Sequence, residues 1–383
     1  MPENNDHRRV KSKWKRAGVA FAAGTALLFG AVYVNANAAT VQSDASAGGA
    51  ASAAASAAAG DTATTTASSS VSDVVDAANT FLDTLDDDQQ SSVLLDFTQA
   101  NATAWSNLPC GSTCRVGIEL SSLSDEQLTA AKAVIKAATG TGTDTGDDQI
   151  TQILAADDYL GKTATGYGSG NYYLAFLGTP STSGTWQLHF GGHHLALNLT
   201  YKDGEVEGTT PYFVGVEPTS WTGDDGTSYA PLDGMHDAML NMLAGLSDDE
   251  LSEAKLSESF SDVLLGPDDD GGFPTTKEGL QVGELTDDQR QLVLDAIEPW
   301  VDAADDTTAA DVLSTYKSEL DDTYISYSGS TDLSAQGDYV RIDGPGVWIE
   351  FVCQDGVVYT NQVHYHTVYR DHSTDYGGEF TFS

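Results

Sequence analysis

The chain has 383 residues, with 57 Asp and Glu against 17 Lys and Arg and a formal net charge of −40 at pH 7. This charge argues against a nucleic-acid partner, because a phosphate backbone is bound by clusters of Lys and Arg. Hydrophobic residues make up 40% of the chain, which is enough for a sizeable core. The composition therefore predicts a folded and strongly acidic protein.

The amino terminus has the pattern of an export signal. Six basic residues lie among the first 16, and an uncharged apolar run follows at residues 17–34. Residues 36–38 read Ala-Asn-Ala, a signal-peptidase pattern, so residues 1–38 are predicted to be a signal peptide. An uncleaved anchor is the alternative, and it would be the protein's only contact with a membrane. Both alternatives predict a secreted or cell-surface, extracytoplasmic protein.

A low-complexity segment follows the signal. Residues 39–70 are nearly all Ala, Ser, Thr and Gly, a composition that buries too little surface to offset chain entropy. We expect a flexible spacer here, followed by one folded domain over residues 72–383. Within that domain, Cys110 and Cys114 can close a small loop in an oxidising compartment, with zinc binding as the less favoured alternative.

Five helix starts can be predicted along the folded region. At four of them a Leu precedes a capping residue, and a Gln or Glu follows three places after the cap. These caps are Asp86, Ser124, Ser247 and Thr286. An earlier helix is predicted from Ser72, and its inward-facing residues are Val74, Val75, Ala78, Phe81 and Leu82.

Short segments rich in Tyr, Val, Ile and Thr predict strands between Gly, Asp and Pro turns. The predicted strands cover residues 171–178, 185–190, 194–201, 212–216, 323–328, 339–342, 347–353 and 362–369. Asp-Gly turns at residues 203–204 and 355–356 indicate hairpins and therefore antiparallel pairing. The fold class predicted is α+β, a single domain with helices packed on a largely antiparallel β-sheet.

Histidines are concentrated in two short segments. His364 and His366 lie two residues apart on a predicted strand, so their side chains point to the same face. His193 and His194 are neighbours and would point to opposite faces of a regular strand. The strand face that would carry His194 is the more polar one, which favours His194 as a ligand. The preceding glycine pair permits a β-bulge that would exchange the two faces, so both residues stay candidates.

These four histidines, His193, His194, His364 and His366, are predicted metal ligands. Neutral imidazoles suit a transition metal ion such as Zn, Fe or Cu, and the sequence does not select among them. The alternative is structural, because His alternates readily with Tyr and Thr on a solvated sheet face. A His-x-His strand together with a separate Gly-Gly-His-His segment favours the metal site.

Charged residues follow the His-x-His strand. Arg370 could orient an anionic substrate through its two-pronged guanidinium, and Asp371 or Asp375 could assist proton transfer or orient an imidazole. These three residues are the predicted catalytic residues. The alternative is an Arg–Asp pair that holds the turn together.

The two histidine segments resemble the family catalogued as domain of unknown function 3500, which comprises secreted or membrane-associated proteins found mainly in bacteria. The resemblance rests on Phe81-Leu82, Leu85, Trp105, Arg115-x-Gly117, Gly192-His193-His194-Leu195, Thr210-Pro211, Gly215, Tyr339-x-Arg341-Ile342, Ile349-Glu350, His364-x-His366-Thr367-Val368-x-Arg370-Asp371 and Asp375-Tyr376-Gly377. The closing motif is the most specific part. The resemblance implies that the domain spans most of the chain after the spacer, and it supplies no reaction.

The preferred functional hypothesis is an exported metal-dependent enzyme acting on a small, anionic molecule. A metal-activated water that attacks an ester, amide or phosphoester is the simplest chemistry. Oxygen-dependent chemistry on iron or copper is the first alternative. The second is a non-catalytic surface protein that binds a small ligand or a metal in the same place.

Overall fold

A computed structural model describes residues 70–224 and 226–382. The predicted signal peptide and the predicted spacer up to residue 69 lie outside these residues. Within the described ranges, no helix combines the length and the hydropathy that a bilayer crossing requires. The described residues form one α+β domain with a mostly antiparallel sheet, so the predicted fold class is confirmed.

Local capping chemistry sets the start of most helices. The helices are Val71–Asp83 (α1), Asp87–Val93 (α2), Gln99–Ala102 (α3), Asp125–Ala138 (α4), Gly146–Gly161 (α5), Asp233–Ala244 (α6), Asp248–Ala254 (α7), Asp287–Val301 (α8) and Asp306–Ser318 (α9). All four predicted caps form reciprocal capping boxes. The first helix begins slightly earlier than predicted, because Ser70 rather than Ser72 is the cap and Asp73 reciprocates its hydrogen bond.

The strands are Leu94–Leu95 (β1), Ile118–Glu119 (β2), Tyr173–Leu177 (β3), Thr185–Gly192 (β4), Leu195–Lys202 (β5), Glu205–Gly208 (β6), Tyr212–Val216 (β7), Trp221–Thr222 (β8), Ser228–Tyr229 (β9), Leu280–Gln281 (β10), Tyr324–Ser328 (β11), Tyr339–Asp343 (β12), Val347–Asp355 (β13) and Val363–Asp371 (β14). The main sheet has the order β1-β3-β4-β5-β7-β14-β13-β12-β11-β10, with β2 beside β3 and β6 beside β5. Both predicted hairpins form, β5–β6 and β13–β14.

The two faces of this sheet are covered differently. One face packs its apolar side chains against α1, α4, α5, α6 and α8, and we call it the helix face. The other, which we call the loop face, carries more polar side chains and is covered by irregular segments around Trp105, Phe260 and Tyr376. On β14, His364, His366 and Arg370 share the loop face because side chains alternate along a strand.

Acidic side chains gather where α8 ends and α9 begins. Burial, followed by the charges of Glu298 and Asp306, raises the pKa of Asp302 to about 6. Asp302 also follows the carboxyl end of α8, where the helix dipole disfavours a negative charge. Ionised Asp302 therefore destabilises the folded state at neutral pH.

Asp302→Asn is expected to stabilise the protein at pH 7.5 by about 1 kcal/mol, after allowance for solvent screening. Because the folded pKa lies above the unfolded one, wild-type stability falls as pH rises from about 4 to 6, and the variant's advantage vanishes below pH 4. Urea unfolding at pH 7.5 and at a pH below about 4 measures the free energy of unfolding of wild type and variant. The control is Asp287→Asn in the first turn of α8, which is expected to destabilise. A gain that is equal at both pH values would contradict the assignment.

Candidate metal centre

His193 and His194 form the two-residue turn of the β4–β5 hairpin. Gly192 pairs with Leu195, so the prediction that His194 begins a strand was wrong, and strand phase does not decide which imidazole faces the site. The glycine pair extends β4 instead of forming a bulge. A Cβ on Gly192 would lie 2.5 Å from the Tyr172 ring, so only glycine fits at this contact. His194 itself adopts a left-handed backbone with φ of 63°.

Three buried histidines converge on the loop face. One ring nitrogen of each of His194, His364 and His366 lies within 4.8 Å of the others. The Nε2 atoms of His364 and His366 are 3.2 Å apart. A tetrahedral zinc ion would hold its nitrogen ligands about 3.4 Å from one another. The cluster is therefore compatible with a three-histidine metal site, and we call it the histidine triad.

The strand between the two histidine segments provides the floor of the triad. β7 lies beside both β5 and β14, and Gly215 is paired with His366. The Gly215 N–H donates to the His194 carbonyl oxygen at 2.8 Å, which holds the turn against β7. A Cβ at residue 215 would lie 2.8 Å from His194 Cδ2 and 2.9 Å from His366 Cδ2. The His194 and His366 rings therefore both lie against Gly215, and any side chain at this position would displace them.

His193 is not part of the triad. Its Nδ1 lies 2.6 Å from Asp157 Oδ1, and its carbonyl oxygen accepts a hydrogen bond from the Tyr172 hydroxyl. Its ring stacks on that of His194, with the centroids 3.7 Å apart. The structure therefore brings His194 to His364 and His366, whereas His193 supports the His194 ring by stacking on it.

Burial within the triad keeps two of its imidazoles, those of His194 and His364, neutral. Burial, followed by the charges of the neighbouring histidines, holds the pKa of His194 well below its usual value. Burial and His366 lower the pKa of His364 to about 3. Metal binding requires neutral imidazole, so the lone pairs of His194 and His364 are available near pH 7 without loss of a proton.

Two loop residues contact the outer nitrogen of His366. Asp262 Oδ1 lies 3.0 Å from His366 Nδ1, and Asn107 Nδ2 lies 3.5 Å from the same atom. A carboxylate that binds Nδ1–H fixes the tautomer and directs the Nε2 lone pair toward the other histidines. The Asp262 side chain is 47% exposed, so it connects the buried triad to solvent.

A disulfide and the hydrogen bonds of a buried guanidinium stabilise the segment that carries Asn107. Cys110 and Cys114 form the predicted disulfide. The buried Arg115 guanidinium donates to the carbonyl oxygens of Ser106 and Leu108, on either side of Asn107. The Asn107 carbonyl oxygen in turn accepts from the His194 N–H at 3.3 Å. The disulfide loop thus helps to hold the histidine turn in place.

The three predicted catalytic residues do not reach the triad. Arg370 shares the loop face with His366, but it lies four residues along β14, about 13 Å away. It is fully buried, and it bonds Asp270, Asp375 and two backbone carbonyls. The alternative interpretation, an Arg–Asp pair that holds the turn, describes this geometry.

Asp371 and Asp375 are also engaged elsewhere. Asp371 lies an odd number of residues from His364 and His366 along β14, so its side chain points to the helix face. There it accepts a hydrogen bond from the Tyr316 hydroxyl at 2.7 Å. Asp375 Oδ1 accepts from the Asp371 N–H, and Oδ2 accepts from Arg370. The carboxylate that does contact the triad is Asp262, which no local sequence pattern distinguished.

The fold and the cluster define an α+β protein with a buried three-histidine cluster that is compatible with metal binding. A family model described as Protein of unknown function (DUF3500) matches residues 67–378. The chain belongs to this family, which confirms the resemblance drawn from the sequence. No curated protein and no solved structure matches the chain. Its activity therefore has to be inferred from the site.

Proposed function

We propose that the protein is an exported metal-dependent enzyme whose histidine triad binds a transition metal ion. The observation that carries this proposal is the convergence of three buried imidazoles from two distant chain segments. Asp262 supports it, because a carboxylate on the outer nitrogen of a ligating histidine is the usual arrangement in metal sites.

Hydrolytic chemistry fits this donor set best. Three protein ligands leave a tetrahedral ion one position for water or substrate, whereas structural sites fill all four. A bound metal ion would lower the pKa of that water, and the half-exposed Asp262 contacts both solvent and His366. A small anionic substrate would be attracted by the cation itself. Export is supported by the apolar run after the basic amino terminus and by the disulfide.

Elemental analysis of protein purified without a His tag tests the proposal. Wild type is expected to contain about one transition metal ion per chain, and His364→Ala/His366→Ala is expected to contain none. The matched control is His236→Ala, because His236 stacks on Tyr365 outside the triad. Equal metal content in wild type and the double variant would reject the site. Metal-loaded protein without turnover in hydrolase and oxidase screens would favour a binding protein, and oxidase turnover would favour iron or copper chemistry.

Asp262→Asn is expected to weaken metal binding by about 10- to 100-fold, because the amide orients His366 less well than the carboxylate does. Competition with a chromogenic chelator measures the affinity. Asp332→Asn, on an exposed loop, serves as the control and is expected to leave the affinity unchanged. Equal affinities for all three proteins would mean that Asp262 does not support the metal site.

A further inference from the structure

A cavity lies on the helix face, on the opposite side of the sheet from the triad. Its volume is about 530 Å³, and it opens between α4 and α5. Leu174 of β3 and Phe190 of β4 form its floor, and Ile135, Ile150 and Leu154 form its walls. This volume lies within the range of small-molecule sites, and the apolar interior reaches from the surface to the sheet.

The rim of the cavity carries two lysines. Lys132 and Lys136 are exposed and lie one helical turn apart on α4, so both side chains border the same opening. Neither forms an ion pair with any residue in the described ranges. Most other basic side chains of this acidic domain are paired with a carboxylate, as Lys162 is with Asp224. Two unpaired cations beside one apolar cavity favour an anionic ligand.

Two carboxylates, Asp147 and Asp158, also line the cavity, and neither forms an ion pair with Lys132 or Lys136. Asp158 accepts hydrogen bonds from the backbone N–H and the hydroxyl of Ser169. Burial raises the pKa of Asp147, and the charges of Lys136 and Lys132 act against this rise without forming an ion pair with it. The rim therefore has a cationic side on α4 and an acidic side on α5, and the charged end of an anionic ligand is expected to lie against α4.

We propose that this cavity binds an amphiphilic anion, an alkyl carboxylate whose chain lies against Leu174 and Phe190 and whose carboxylate bonds Lys132 and Lys136. The apolar floor accounts for the chain, and the lysines account for the charged end. The site is independent of the metal centre, since Phe190 points to the helix face whereas the triad lies on the loop face. Failure of one proposal leaves the other in place.

Titration calorimetry with dodecanoate tests the proposal, with dodecanol as the uncharged comparison. Wild type is expected to bind dodecanoate at one site, and Lys132→Gln/Lys136→Gln is expected to bind it at least about tenfold more weakly. Binding of dodecanol should not change between these proteins. Lys255→Gln/Lys317→Gln, which alters lysines away from the cavity, is the matched control and should behave as wild type.

A third variant tests the location. Thr151 lies on the exposed wall of the cavity, so Thr151→Trp fills the opening without replacing a core residue. It is expected to abolish binding of both compounds while circular dichroism and metal content stay unchanged. Absence of dodecanoate binding to wild type below 1 mM (about −4 kcal/mol), equal affinity of the lysine variant, or full binding by Thr151→Trp would each overturn the proposal.

Discussion

Arg370→Met is expected to lower the free energy of unfolding by about 3–5 kcal/mol, the largest stability loss from any single substitution considered for this domain. The guanidinium is completely buried and forms ion pairs with Asp270 at 2.9 Å and with Asp375 at 3.0 Å. Methionine fills a similar volume but leaves both carboxylates in a low-dielectric interior without a cation. The cost arises from those stranded charges and from the unmet backbone carbonyls of Leu265 and Gly266.

Urea unfolding of three variants separates this mechanism from a loss of volume. Arg370→Met/Asp375→Asn is expected to recover part of the loss, because it removes one uncompensated charge. Arg290→Met disrupts an ion pair with the exposed Asp321 and is expected to cost less than about 1 kcal/mol. If the Arg370 and Arg290 substitutions had the same small effect, Arg370 would not be the buried anchor that its contacts indicate.

Arg370 also shows how stability and the candidate site are connected. It binds the carbonyl oxygens of Leu265 and Gly266, while the buried Glu350 accepts the N–H groups of Leu264 and Leu265. The segment 264–266 is thus held through its carbonyl oxygens by Arg370 and through its N–H groups by Glu350. That segment follows Asp262, whose carboxylate contacts His366. The position of Asp262 beside the histidine triad therefore depends on a cation and an anion that contact none of its three imidazoles.

Features governed by nearby residues could be predicted from the sequence. The capping boxes at Ser124 and Thr286 form because the cap and its partner are three residues apart. His364 and His366 share a face because the period of a strand is two. The order of strands could not be obtained this way, since β7 enters between β5 and β14 through contacts far apart in the chain.

The same limit explains which site residues the sequence missed. His194 was predicted as the better ligand, but from a strand phase that does not exist, because the turn and its left-handed backbone direct the ring. Asp262 and Asn107 come from irregular segments that carry no periodic pattern. Arg370 looked available for substrate because its partner Asp270 is 100 residues away and cannot be paired with it by spacing. Long-range contacts position Asp262, Asn107 and Arg370, whereas local turn geometry orients His194.

Gly215→Ala is expected to weaken metal binding by about 10- to 100-fold while the fold persists. The added Cβ would lie 2.8 Å from His194 Cδ2, 2.9 Å from His366 Cδ2 and 3.0 Å from the Tyr365 carbonyl oxygen. The carbonyl cannot retreat, since β14 is paired on both sides, so the two rings must move apart. Overpacking of this kind costs about 1–3 kcal/mol of stability, which a domain of this size tolerates.

Chelator competition and urea unfolding measure the two effects separately. Gly234→Ala is the matched control, because nothing lies within 4 Å of a Cβ at that position in α6. It is expected to leave metal affinity unchanged and to stabilise the helix by up to about 1 kcal/mol. Wild-type affinity in Gly215→Ala, together with the expected loss of stability, would show that the rings can shift without consequence and that these imidazoles are not the ligands. A loss of metal affinity in Gly215→Ala but not in Gly234→Ala would instead locate the ion at the His194 and His366 rings, which the added Cβ displaces.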